Sequence, residues 1–168
     1  MSGLDHKSWS LRRAAGAVCA VALALVLLSP TASRAADAVR VPSGIWLMPL
    51  KVAVRVFDCS GRLCGQLVWV QKPRDSEGQL LRDPKNPDPT LRWRPACGQT
   101  VMWGLQPAGP GRWKNGWLYN ADDGKTYRVK AELRSDDMMV ARIYYGLPLF
   151  GETWTMSRVE RLSSEGWC

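Results

Sequence analysis

The reactive side chains of this 168-residue sequence are five cysteines, one histidine, two adjacent aspartate pairs, and lysines and arginines spread along the chain. The histidine, His6, lies in the first segment, so the rest of the chain has no imidazole. Activation of a nucleophile by histidine therefore has no base, and a histidine-ligated metal has no ligand. Carboxylates or a lysine would have to carry any catalysis. Asp122-Asp123 and Asp136-Asp137 sit between apolar stretches, where aspartates ordinarily hydrogen-bond to turn backbone. Lys125 follows Gly124 in one of these turns. No base and nucleophile share a recognisable spacing, so the expectation is a protein that is not an enzyme and holds no cofactor.

The cysteines point to structure instead. Cys19 lies in the first segment, leaving Cys59, Cys64, Cys97 and Cys168. An even thiol count in an exported chain reads as disulfides, and three pairings are open. Cys59 and Cys64 flank Ser60-Gly61-Arg62-Leu63, a turn between two apolar strands, and closing that hairpin favours their bond. A loop this short contributes about 2 kcal/mol in the chain-entropy model. Cys97 to Cys168 would then tie the chain end to its middle, for roughly 4 kcal/mol. Zinc is the rival use of the thiols, but C-x4-C fits knuckle spacing poorly, so no metal is expected.

Export itself is read from the first residues. Lys7, Arg12 and Arg13 precede an uncharged apolar run, Ala14 to Leu28, and Ser33-x-Ala35 supplies small residues for a peptidase. The run is shorter than the ~20 residues of a spanning helix. Residues 1–35 are expected to be a cleaved signal peptide, cut near Ala35, with 36–168 a single periplasmic or secreted domain and no integral membrane span in the mature chain. Arg12-Arg13 carries only a weak twin-arginine signal. The full chain is basic, at +8, but without a Lys/Arg block, so nucleic acid is not an expected partner.

The elements that position these residues have period two. Val52, Val54 and Val56 alternate with Ala53, Arg55 and Phe57; Tyr127, Val129, Ala131 and Leu133 alternate with charged residues. Turn residues punctuate the runs. About eight strands are expected, at 44–48, 51–58, 63–71, 99–105, 112–119, 125–134, 138–145 and 152–159. The fold class is all-β, an antiparallel up-and-down barrel or a two-sheet sandwich, the barrel favoured because closure removes exposed edges. A barrel of this size is filled by side chains or holds one small ligand.

All but one of the nine tryptophans lie beyond the leader. Indoles fill core volume and also line pockets. Trp69, Trp103, Trp113 and Tyr127 sit in mid-strand and are the candidate ligand-binding residues. The segment 73–95 is different: it is rich in proline and charge and lacks alternation, as expected for a long functional loop. Within it, Asp88-Pro89 reads as a helix start, with aspartate as cap and proline at the first position. Arg92 and Arg94 follow. The simpler expectation is that Asp88 pairs with one of them and pins the loop across a barrel mouth. The functional one is that the arginines bind an anionic group.

Together these residues resemble the bacterial domain-of-unknown-function family numbered 2147, a group of small exported proteins. The resemblance rests on Gly44-x-Trp46, Cys59-x-Gly61-x-Leu63-Cys64-Gly65, Pro73-x-Asp75, Asn86-Pro87-Asp88-Pro89-x-Leu91-Arg92-x-Arg94-Pro95, Trp113-x-x-Gly116-x-x-Tyr119-Asn120, Gly124-Lys125-x-Tyr127 and Arg158. Ala121 stands where the pattern would have proline, and Met156 where it would have tryptophan. The resemblance implies a lipocalin-like β-barrel and assigns no biochemical role. Asn86, in the same loop as Asp88, Arg92 and Arg94, is a further candidate for anion or partner contact. Trp46 and Arg158 are similar to the lipocalin pair in which arginine covers tryptophan at the closed end of the barrel, a structural role.

Two functions follow as expectations. The first is a non-catalytic exported barrel binding a small apolar ligand. The second is a cell-envelope interaction protein whose 73–95 loop, through Asn86, Asp88, Arg92 and Arg94, contacts a protein, peptidoglycan or anionic lipid.

Overall fold

The computed structural model describes residues 41–168, so the expected leader, 1–35, lies outside the described residues. Eight strands follow in order: β1 (Gly44–Met48), β2 (Val52–Asp58), β3 (Leu63–Val70), β4 (Thr100–Pro107), β5 (Arg112–Asn120), β6 (Lys125–Ser135), β7 (Met138–Tyr144) and β8 (Gly151–Arg158). Each pairs antiparallel with its neighbours, and β1 closes the ring on β8 through Trp46↔Arg158 and Leu47↔Ser157. The architecture is the closed up-and-down barrel, with strand bounds close to those the alternation predicts.

Alternation places the core. Val54 and Val56 of β2, Val129 and Ala131 of β6, and Met139, Ala141 and Ile143 of β7 are buried in the core, while their strand neighbours are more exposed, save Ala53, which is itself buried. The lumen is occupied by side chains. Trp46, Leu63, Met102, Leu105, Trp113, Met139 and Met156 are each no more than 1% exposed. The packing leaves Gly116 no room for a side chain: a Cβ there would stand 2.2 Å from Leu105 Cγ. Four methionines in this core, Met48, Met102, Met139 and Met156, suit an irregular lumen, because their flexible thioethers fill gaps between indoles.

Strand β3 is covered on both sides, which is why it reads as a nearly continuous apolar run. Its outer face carries the C-terminal tail. Trp69 forms an isolated bridge with Trp167, the Trp69 indole N–H donates to the Ser163 carbonyl at 3.0 Å, and the Cys168 amide donates to the Val68 carbonyl at 3.0 Å. Cys97–Cys168 locks this tail, and Cys59–Cys64 closes the β2–β3 hairpin. This is the pairing that the hairpin favours.

The strand directions define two ends. At one lie the β2–β3, β4–β5 and β6–β7 turns with Trp46 and Arg158. At the other lie the β1–β2 turn, the long β3–β4 connection, the β5–β6 turn and the β7–β8 loop. The short 3-10 helix Pro89–Leu91 belongs to the long connection, and a second, Ser164–Gly166, to the tail. Among the described residues no helix is long and apolar enough to cross a membrane.

Candidate functional site

The Trp46 end is sealed. Arg158 lies over the Trp46 ring, its guanidinium carbon 4.5 Å from the centroid. Its Nη1 donates to the Ser43 carbonyl at 2.6 Å and its Nε to the Asp136 carbonyl at 2.7 Å, while the Trp46 indole donates to the Pro42 carbonyl at 3.0 Å. The arrangement ties the start of β1 to the β6–β7 turn. The Trp46 indole N–H and two of the guanidinium nitrogens are engaged by backbone carbonyls, which makes the arrangement a closure of this end.

At the other end the long connection is ordered rather than loose. Bridges pair Arg74 with Leu80 and Arg82 with Pro95. Its fixed point is a buried pair of polar side chains, Asp83 and Asn86. Asp83 accepts from Asn86 Nδ2 and from the Tyr119 hydroxyl, both at 2.7 Å. Burial of polar groups in this way requires such partners. Tyr119 alternates with the inward Leu118 on β5, so the connection is clamped to the outer rim of the barrel.

The four loop residues chosen from the sequence have local roles. Asp88 caps the 3-10 turn, accepting from the Thr90 amide at 2.9 Å and the Thr90 hydroxyl at 2.7 Å. These bonds, with weaker help from Arg94 and Arg92, hold its carboxyl below the ordinary range. The expected Asp88–arginine pin is replaced by a different one. Arg92 Nε donates instead to the Asn86 carbonyl at 2.8 Å, and the pin is Asp83–Tyr119. The cap wins over the ion pair because the hydroxyl and amide of Thr90 are presented two residues away at no chain-ordering cost. Asn86 accepts from the Asp88 amide at 2.9 Å. Arg94 is half-buried, its Nε without a hydrogen-bond partner among the described residues.

Burial, then the hydrogen bond to Asp83, pushes the Tyr119 hydroxyl up from 10.0 to about 12. Stability from this clamp is fully present below pH 10 and is lost as pH rises through about 12. Tyr127 is also raised, by its hydrogen bond to Asp123 and by burial. Phenolate absorbance is expected to show one tyrosine ionising near pH 12, and Tyr119→Phe to remove that step. Leaving Asp83 buried and half-satisfied is expected to cost that variant about 1–3 kcal/mol in urea unfolding.

The four aromatic candidates do not line one cavity. Trp113 is part of the packed lumen, its indole N–H without a partner among the described residues. Tyr127 packs against that core from its edge and bonds Asp123. Trp69 lies on the outer wall beneath the tail, beside a cleft of about 360 Å³ that also involves Leu47, Lys51, Gln71, Thr155 and Leu162. Trp103 faces outward beside a larger open cleft of about 550 Å³, with Arg62, Gly104, Gln106, Asn115, Trp117 and Arg128.

This larger cleft has a structural cause. The β4–β5 ladder pairs Trp103 with Trp117 and resumes at Gln106↔Lys114. Between them the backbone takes positive φ at Gly104 (74°) and Asn115 (60°). The first conformation suits glycine, and asparagine is among the few other residues that enter this region readily. The kinks leave two indoles as cross-strand neighbours on the outer wall. Trp117 is 38% exposed, and Arg128 stacks on it with its guanidinium carbon 4.1 Å from the ring centroid. Asn115 Nδ2 donates to Gln106 Oε1 at 3.3 Å, presenting two amides at the rim. None of the lining residues is acidic. Strands β5 and β6 together carry six basic residues and one acid, Glu132, which Arg134 and Arg112 already engage. The cleft therefore offers flat aromatic faces, guanidinium groups and amide hydrogen bonds in a positive field, the requirements for holding an anionic ring. Sequence reasoning found Trp103 but missed Trp117, Arg62 and Arg128. The signal that could have found them is Trp117 and Arg128 on the wet faces of adjacent predicted strands.

The profile of a family described as "Uncharacterized protein conserved in bacteria (DUF2147)" matches residues 44–158, the whole span of the barrel strands. Among solved structures, the chain is similar to protein HP1028 of Helicobacter pylori, described as belonging to the lipocalin family. The two share 28% identity with a TM-score of 0.60, over 73% of this chain and 84% of that one. No curated protein matches the sequence.

Proposed function

The chain belongs to the family of uncharacterized proteins conserved in bacteria (DUF2147), and from that premise we propose that it is a non-catalytic binding barrel working outside the cytoplasm, which holds a small anionic ring on its outer wall. The observation that carries this reading is the Trp103–Trp117 platform flanked by Arg62 and Arg128. The lipocalin-like fold is compatible with small-ligand binding, but the filled lumen argues against the apolar guest expected there. The two disulfides suit an oxidising compartment. A sugar acid of an envelope glycan meets all three demands of the cleft. Its ring C–H face stacks on indole, its carboxylate meets guanidinium, and its hydroxyls meet the Gln106 and Asn115 amides.

Calorimetry with an oligogalacturonide, against a neutral oligosaccharide of equal length, tests the reading. The acidic ligand is expected to bind and the neutral one not. Trp117→Ala is expected to weaken binding about tenfold, or ~1.4 kcal/mol. Equal affinity of the wild type and a Trp117→Ala, Arg128→Gln variant removes the cleft from consideration.

The second reading, an envelope contact through the 73–95 loop, is favoured by Trp93. This side chain is 75% exposed, with Arg82 placed 5.8 Å from its ring centroid and bonded to its carbonyl. An exposed aromatic on an ordered loop is a common anchor for a partner surface.

A further inference from the structure

The β7–β8 loop is a different kind of surface. Its residues Tyr145, Leu147, Leu149 and Phe150 are 75%, 63%, 78% and 71% exposed. Four large, mostly exposed apolar side chains within six residues of one hairpin loop are a concentration that monomeric soluble proteins rarely leave in water. The run from Tyr144 to Gly151 contains no charged residue. The tip protrudes at the end of the barrel opposite the Trp46–Arg158 closure. The β1–β2 turn is the next hairpin around the ring and adds Leu50, which is 50% exposed.

The loop does not fold its apolar groups back onto the wall, because its backbone is held from beneath. Arg142, on β7, donates from Nε to the Pro148 carbonyl at 3.0 Å and from Nη2 to the Pro148 and Leu149 carbonyls at 2.9 and 3.0 Å. Its Nη1 bonds Thr153 Oγ1 at 3.0 Å, fixing the guanidinium against β8. The Phe150 amide donates to the Leu147 carbonyl at 3.0 Å. Three successive carbonyls at the tip are thus satisfied inside the protein, and Pro148 has no N–H to satisfy.

We infer that this loop is a membrane-docking finger that inserts into the interfacial layer of an anionic lipid bilayer. Two independent features point to a bilayer. Backbone polar groups entering an apolar medium must be satisfied internally, and here the tip carbonyls are. The side chains are tyrosine beside leucine and phenylalanine, a composition that suits the headgroup–acyl boundary, where aromatic residues with a polar end accumulate. Lys51, exposed on the neighbouring turn, and the basic balance of the chain outweigh the one exposed acid beside the loop, Glu152, and supply attraction to anionic headgroups.

Co-sedimentation of the purified protein with vesicles of phosphatidylethanolamine and phosphatidylglycerol tests the inference. The wild type is expected to partition onto these vesicles, more strongly at low salt. Leu149→Ser with Phe150→Ser is expected to lower partitioning at least tenfold while leaving the melting temperature unchanged, since both side chains are exposed. Against the wild type, whose eight tryptophans beyond the leader set the background, Phe150→Trp is expected to add blue-shifted emission that brominated acyl chains quench. The inference is overturned if the wild type stays in the supernatant at low salt, if the double serine variant partitions as well as the wild type, or if brominated lipid does not quench Phe150→Trp. Concentration-dependent self-association that the serine pair abolishes, without vesicle binding, would assign the finger to a second copy of the chain and overturn the lipid reading.

Discussion

Replacing Cys97 and Cys168 by serine is expected to lower unfolding stability by about 4 kcal/mol, read as a shift in urea midpoint. The bond joins residues 71 positions apart, so it restricts the unfolded chain far more than Cys59–Cys64, whose partners are five apart. It also holds a cover in place. The tail buries the outer face of β3, with Gly166 so close to Trp69 that a Cβ would stand 2.2 Å from the indole nitrogen. Freed at its end, the tail is expected to detach first and expose Trp69, giving a red-shifted emission before global unfolding. Loss of Cys59–Cys64 is expected to cost only about 2 kcal/mol and to leave that emission unchanged.

Trp46→Ala is expected to cost about 3–5 kcal/mol, the range for removing a fully buried aromatic. Trp46 is 0% exposed and stands at the barrel's closing seam, paired with Arg158. Its loss opens a cavity and leaves the Arg158 guanidinium without its aromatic partner. Arg158→Ala alone is expected to cost about 1–2 kcal/mol, because two backbone carbonyls lose a charged donor. The double variant should fall short of the sum by about 0.5–2 kcal/mol, since the two groups act on each other. A change within about 0.5 kcal/mol for Arg158→Ala, as for an unengaged surface site, would contradict the structural role.

The barrel was legible because alternation, hairpin spacing and closure all agree. The Val52–Phe57 and Tyr127–Arg134 patterns left no other face to bury. The Cys59–Cys64 hairpin was legible for the same local reasons, whereas the Trp46–Arg158 closure, which joins the first strand to the last, was legible only through its resemblance to the lipocalin pair. Less legible was the outer wall. Met102 and Trp103 are both apolar neighbours, so the pattern cannot say which faces in; the structure puts Met102 in the lumen and Trp103 outside. Trp69 reads as core but is buried by the tail, a contact between segments 94 residues apart that no local pattern encodes. The Asp83–Tyr119 clamp likewise joins residues 36 apart. Asp88 drew attention because its capping motif is local, whereas Asp83 has no motif. The kinks at Gly104 and Asn115 that shape the cleft lie inside strands, where sequence suggests only a weakened ladder.

Ligand is expected to meet the outer wall and not the lumen. Indole N–H resonances of the tryptophans, followed by nuclear magnetic resonance during titration with an oligogalacturonide, separate the two directly. The Trp103 and Trp117 signals are expected to shift and saturate together, while those of Trp46 and Trp113 stay in place. Shifts confined to Trp113 and Trp46, with Trp103 and Trp117 unmoved, would contradict outer-wall binding and return the ligand to the barrel interior.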